Sequence, residues 1–207
     1  KHRELAQTVS RALRYIVVFS MAAAAGLMAL ALPAIRVLYE RGSWDAADTI
    51  ATSGTLVFFA LGVPLWGLQQ IYARGFYARE EMWTPVVIGT LATAAAVPIY
   101  WGLQRTLAVD GLALASSISI VLYTAALAVV WYRRTGWSHA TPVAVTFGRN
   151  LPLAAIAGLA GWAVSELVLG WLGVAGFGAA LAAGTTGGLV VLTVAFGPPW
   201  VRSELRR

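Results

Sequence analysis

Residues 74–85 read RGFYAREEMWTP, with two arginines, two glutamates and three aromatic residues between two long apolar runs. In a water-soluble domain this would be ordinary surface loop. Here it is one of the few polar islands, because 59% of the 207 residues are hydrophobic and only 12% are charged. A soluble domain carries about 25% charged residues, and a globule of this size could not cover its surface with half that supply. The apolar residues also fall into runs of membrane-crossing length. The island is therefore a turn at a membrane surface, and the chain reads as an all-α, polytopic integral membrane bundle.

Working outward from the island, the apolar runs cover residues 15–38, 49–73, 85–103, 111–132, 151–169 and 174–197. Each is about 19 to 25 residues, enough to cross a hydrocarbon core of ~30 Å at ~1.5 Å per residue. Six spans are expected. Asp45 with Asp48 can satisfy free N–H groups at the start of the second. Thr84 followed by Pro85 reads as a cap and first helical residue for the third, and Asp110–Gly111 as the opening of the fourth. Pro33, Pro64 and Pro98 lie inside spans and predict kinks.

Charge sets the expected orientation. With the N-terminus inside, twelve of the fifteen Lys and Arg residues lie on the inner side, and Arg36, Arg41 and Arg105 on the outer. Both ends of the segment are then cytoplasmic. The net charge of +6 is mostly a topology signal with anionic headgroups as its partner. It is dispersed over separate loops, which does not fit a nucleic-acid-binding face. The chain begins at Lys1 without a starting Met, so a longer parent protein is expected.

No cysteine is present, and His2 and His139 are the only histidines, so neither a disulfide framework nor a metal site is expected. No glycine-rich stretch carries a phosphate-loop ending, and the serines have no base nearby in sequence. The reading is a non-enzyme without cofactor. Polar groups inside spans are the default binding candidates: Arg36, Gln69, Gln70 and Glu166. Arg36 and Glu166 can equally reach the outer headgroups. Glu80 and Glu81 read as solvated loop charges. Phe76, Tyr77 and most tryptophans (Trp44, Trp83, Trp101, Trp131, Trp137, Trp171, Trp200) read as interfacial anchors. Small residues recur at spacing four in Gly111, Ala115, Ser119, in Ala157, Gly161, Ser165 and in Ala180, Gly184, Gly188. These ridges favour close packing within one bundle over a dimer face.

From Leu38 the sequence continues LYERGSWDAADTIATSGTLVFFALGVPLWGLQQIYARGFYAREEMWTPVVIGT. It holds an RG-aromatic motif (Arg41, Gly42, Trp44), a D-T helix start (Asp48, Thr49) and a G-x-P-x-x-G helix (Gly62, Pro64, Gly67). That helix ends in R-x-F-Y-A (Arg74, Phe76, Tyr77, Ala78), with T-P (Thr84, Pro85) soon after, and GLALASS follows at 111–117. In order and spacing this resembles the second half of the MurJ/MviN family, lipid II flippases of the multidrug/oligosaccharidyl-lipid/polysaccharide exporter superfamily. The resemblance implies about the last six helices of a two-lobe, fourteen-helix fold. Residues 1–134 would supply four helices of the C-terminal lobe, and 135–207 two further helices forming a groove for the lipid tail. It also implies transport of a lipid-linked peptidoglycan precursor across the bacterial inner membrane by alternating access, with upstream helices of the same chain as partners. The alternatives are a flippase for another undecaprenyl-linked oligosaccharide and a non-transporting membrane scaffold.

Overall fold

The computed structural model describes residues 2–172 and 177–204. The expected start of the last span at Val174, and Lys1, Arg206 and Arg207, lie outside them. Among the described residues the regular structure is helical throughout: α1 (His2–Ala29), α2 (Ala31–Tyr39), α3 (Ala46–Ala60), α4 (Val63–Tyr77), α5 (Trp83–Thr135), a 3₁₀ turn (Trp137–His139), α6 (Ala140–Leu172), α7 (Phe177–Phe196) and α8 (Pro199–Glu204). Five helical stretches are long and apolar enough to cross a membrane, and the longest, Trp83–Thr135, has 53 residues. The chain is a multi-pass membrane protein.

That longest stretch is a hairpin. Its backbone leaves helical geometry only at Ala108, where φ is 51° and ψ −123°. The Tyr123 hydroxyl donates to the Pro85 carbonyl at 3.2 Å, and Arg134 Nη1 to Thr84 Oγ1 at 3.2 Å, so the second arm returns along the first. Two of the six expected spans are therefore joined without an extended loop. Gly111 explains how: a Cβ there would lie 2.1 Å from the Leu103 carbonyl oxygen, so only glycine permits so close a reversal.

Prolines place two further breaks. Proline offers no N–H to the carbonyl four residues back; α1 ends at Ala29, four before Pro33, and α3 at Ala60, four before Pro64. Pro98 does not interrupt its helix, which stays helical on both sides. Asp45 and Asp48 form the expected reciprocal cap. Asp45 Oδ1 accepts from the N–H groups of Ala47 (2.8 Å) and Asp48 (3.0 Å), and Asp48 Oδ2 accepts from that of Asp45 (3.3 Å). Thr84 is not a cap, contrary to expectation. The helix begins one residue earlier at Trp83 with no side-chain cap bond, and the Thr84 hydroxyl serves Arg134 instead. Pro85 still falls in the first turn, where helix N–H groups lack partners anyway.

The chain divides into two compact units, residues 1–20 with 61–150 and residues 21–60 with 151–207. The second has an alanine-rich core of Ala22, Ala25, Ala29, Ala157, Val191 and Ala195. Two of the small-residue ridges are used here. A Cβ on Gly161 would meet Val191 Cγ2 at 2.5 Å and the Gly187 carbonyl at 3.0 Å, and one on Gly187 would meet the Gly161 carbonyl at 2.8 Å. Gly188 faces Leu30, and Gly184 faces Pro33. Where lipid is as apolar as the helix surface, such backbone proximity supplies the packing attraction. A Gly161→Val substitution should cost about 1–3 kcal/mol by overpacking. It should lower the unfolding midpoint of the detergent-solubilised protein by several degrees. Gly170→Val, with no atom within 4 Å of its Cβ position, should leave it unchanged.

Candidate functional site

In the first unit, α4 presents Leu68, Tyr72 and Phe76 at spacing four, all buried. The second arm of α5 presents Thr124, Leu127 and Trp131 at spacing three and four, also buried. These stripes meet with the helices running parallel. The Thr124 hydroxyl donates to the Leu65 carbonyl at 3.1 Å, and the Tyr72 hydroxyl to that of Tyr132 at 2.9 Å. Phe76 and Trp131 pack edge to face with ring centroids 5.4 Å apart, a preferred aromatic geometry. Gly75 is the seat of the indole: a Cβ there would lie 2.9 Å from two Trp131 ring carbons. Phe76 and Trp131, expected at the headgroups, are instead 0% and 1% exposed. Spacing relative to the span end could not separate an anchor from a core residue facing another helix. Tyr77, Trp83, Trp101, Trp137 and Trp171 are exposed, in keeping with anchoring.

The same end of the unit carries a charge network. Glu81 accepts from Arg79 Nε at 2.9 Å and is paired with Arg134, whose guanidinium also lies 5.9 Å from the Phe76 ring. The expectation of a merely solvated Glu81 is thus corrected. Its carboxylate ties the α4–α5 turn to the end of the second arm, while Glu80, at φ 62°, is exposed. Burial pushes the Glu81 carboxyl up, but hydrogen bonds and charge from Arg79 and Arg134 together outweigh it and hold it below its ordinary value. Arg134 stood in the sequence only as a topology signal, and no local pattern pairs it with a residue 53 positions away.

The side chains singled out from sequence lie on three helices, α2, α4 and α6. Arg36 is bound to Glu40 through Nε at 3.0 Å. Glu166 is exposed on α6, Gln69 half-buried and Gln70 exposed on α4. Several motif residues have structural work. Arg41 Nη2 donates to the carbonyls of Val37 (3.0 Å) and Leu38 (3.1 Å), closing the C-terminus of α2. Gly42 supplies the left-handed turn at φ 68°, Thr49 is fully buried, and Gly62 precedes α4 with Pro64 in its first turn. Arg74 is exposed. Between α4 and the two α5 arms lies a cleft of about 480 Å³ with Trp66, Tyr100 and Tyr123 among its walls and Thr93 and Ser116 as hydroxyls. No Asp, Glu, Lys or Arg lines it. Among the described residues no three His, Asp or Glu side chains group as metal ligands.

Residues 1–182 match the family model described as lipid II flippase MurJ. Over 153 residues the chain is 28% identical to a probable lipid II flippase MurJ of Rhizobium meliloti (strain 1021), covering 74% of this chain and 29% of that protein. Over 132 residues it is 34% identical to a probable lipid II flippase MurJ of Rhizobium tropici, covering 64% and 25%. A solved structure titled lipid II flippase MurJ, inward closed conformation, superposes with a TM-score of 0.63 at 20% identity. It covers 96% of this chain and 39% of that one, a likeness of fold. The chain spans less than a third of the length of these Rhizobium relatives.

Replacing Glu81 with Gln should cost about 1 kcal/mol, as a partly exposed ion pair does. Because the folded carboxyl titrates below its ordinary 4.5, this stabilisation is complete above that value and lost as pH falls through the lowered one. Unfolding midpoints of wild type and Glu81→Gln should therefore differ by a constant amount near neutral pH and converge in acid.

Proposed function

This chain belongs to the lipid II flippase MurJ family, and from that premise we propose that it is the C-terminal part of a flippase. The parent protein moves lipid II across the bacterial inner membrane by alternating access and has no catalytic step. The observation that carries this reading is the family match over residues 1–182. The glycine-sealed packing of the second unit supports it, since it suits a rigid body. We assign the cytoplasmic side to both ends of the segment, from the inner excess of Lys and Arg. Residues 1–134 form four helices of the C-terminal lobe, and 135–207 two helices along which the lipid tail lies. Arg36, Gln69, Gln70 and Glu166 are the polar side chains available to the substrate from this part. The rest of the cavity belongs to upstream helices.

The test uses the full-length protein in cells depleted of their own flippase. Growth should be restored, and lipid II should become accessible at the outer face of the membrane. If lipid II stays inside while another undecaprenyl-linked oligosaccharide crosses, the substrate assignment fails. If neither crosses in cells that hold the protein in the membrane, transport itself fails in favour of a scaffold.

A further inference from the structure

Two adjoining cavities open at the end of the first unit where α1 begins and α5 finishes. One, of about 410 Å³, is lined by Arg3, Gln7, Arg79, Arg134, Thr135, Ser138 and His139. The other, of about 460 Å³, shares Gln7, Ser138 and His139 and adds Arg11 and Arg14. Between them the two cavities are lined by five arginines from three segments distant in sequence. Glu81 is bound to two of them, Arg79 and Arg134, and among the described residues no Asp or Glu lines either cavity. The wall is built: Glu81 and Thr84 hold Arg134, and the Ser10 hydroxyl donates to the His139 carbonyl at 3.3 Å, fixing the 3₁₀ turn against α1.

We propose that these cavities bind the phosphate of an anionic lipid headgroup. Guanidinium forks match phosphate oxygens in shape and charge, and Gln7 and Ser138 add neutral donors. The depth favours a lipid as the source. The cavities lie at helix ends; Trp137, next in sequence to Ser138, and Trp83, next to the Thr84 that holds Arg134, are 56% and 79% exposed, as residues at headgroup level are, and basic pockets between helix ends are suited to anionic headgroups. Such a site fastens the α1 start, the α4–α5 turn and the α5 end to the membrane surface, and the inference does not depend on the transport reading.

The experiment titrates detergent-purified full-length protein with dioctanoyl phosphatidylglycerol, dioctanoyl phosphatidylcholine or inorganic phosphate, reading bound ligand by native mass spectrometry and the shift in unfolding midpoint. The anionic lipid should bind and stabilise, the zwitterionic lipid and phosphate much less. Arg3→Gln with Arg11→Gln should weaken anionic-lipid binding by about tenfold or more, the loss of charged hydrogen bonds. Gln7→Glu, which places a negative charge between the cavities, should weaken it in the same way. Arg149→Gln, an exposed arginine lining neither cavity, should leave it unchanged. Binding of inorganic phosphate that these variants abolish would support the site and assign it to a soluble anion. Anionic-lipid binding that is absent in the wild type, or unchanged in both pocket variants, would overturn the proposal.

Discussion

Two helices in hydrocarbon gain little by hiding apolar surface from each other, because the lipid is as apolar as they are. What remains is how closely they can approach, and this chain depends on that distance at three places. Gly161 and Gly187 bring α6 and α7 to backbone contact. Gly111 lets the second arm of α5 start against the Leu103 carbonyl. Gly75 gives the Trp131 indole a flat seat on α4. A methyl group at any of them would meet atoms at 2.9 Å or less, so the fold has little room to relax there.

Polar groups follow the same economy of distance. Inside the spans, hydroxyls mostly return to carbonyls of their own helix, as Ser20, Ser119 and Thr185 do. Others join helices, among them Tyr72 with Tyr132, Thr124 with Leu65, and Tyr123 with Pro85. These three lie in the first unit, whose core holds the aromatic pairs Tyr72–Tyr132 and Phe76–Trp131. The second unit, with its alanine core, relies on contact between small residues. One sequence thus uses two packing methods, directed hydrogen bonds between rings and close approach of bare backbone.

The all-α membrane fold was legible because its signals are local. Apolar run length, the Asp45–Asp48 cap and the breaks before Pro33 and Pro64 each need only a few neighbouring residues. The spacing of Ala157, Gly161 and Ser165 also announced a packing ridge, though not the helix it packs against. What could not be read was partnership across distance. The position left open in the R-x-F-Y-A motif is Gly75, whose purpose appears only with Trp131 in place. Glu81 looked solvated because both of its neighbours in the loop gave no hint of Arg134. Phe76 and Trp131 were misplaced for the same reason: position along a span fixes depth and leaves the facing direction open. Among the binding candidates, Arg36 has a partner one turn away in Glu40.

The seat of Trp131 on Gly75 has a consequence for how this sequence can change over time. A side chain can enter position 75 only if the ring at 131 shrinks, and a smaller residue at 131 leaves a void beside Phe76 until 75 grows. Neither step is acceptable alone, so the two positions form a lock that drift must pick with paired substitutions. Across diverging relatives they should vary together or not at all, although they stand 56 positions apart in the chain.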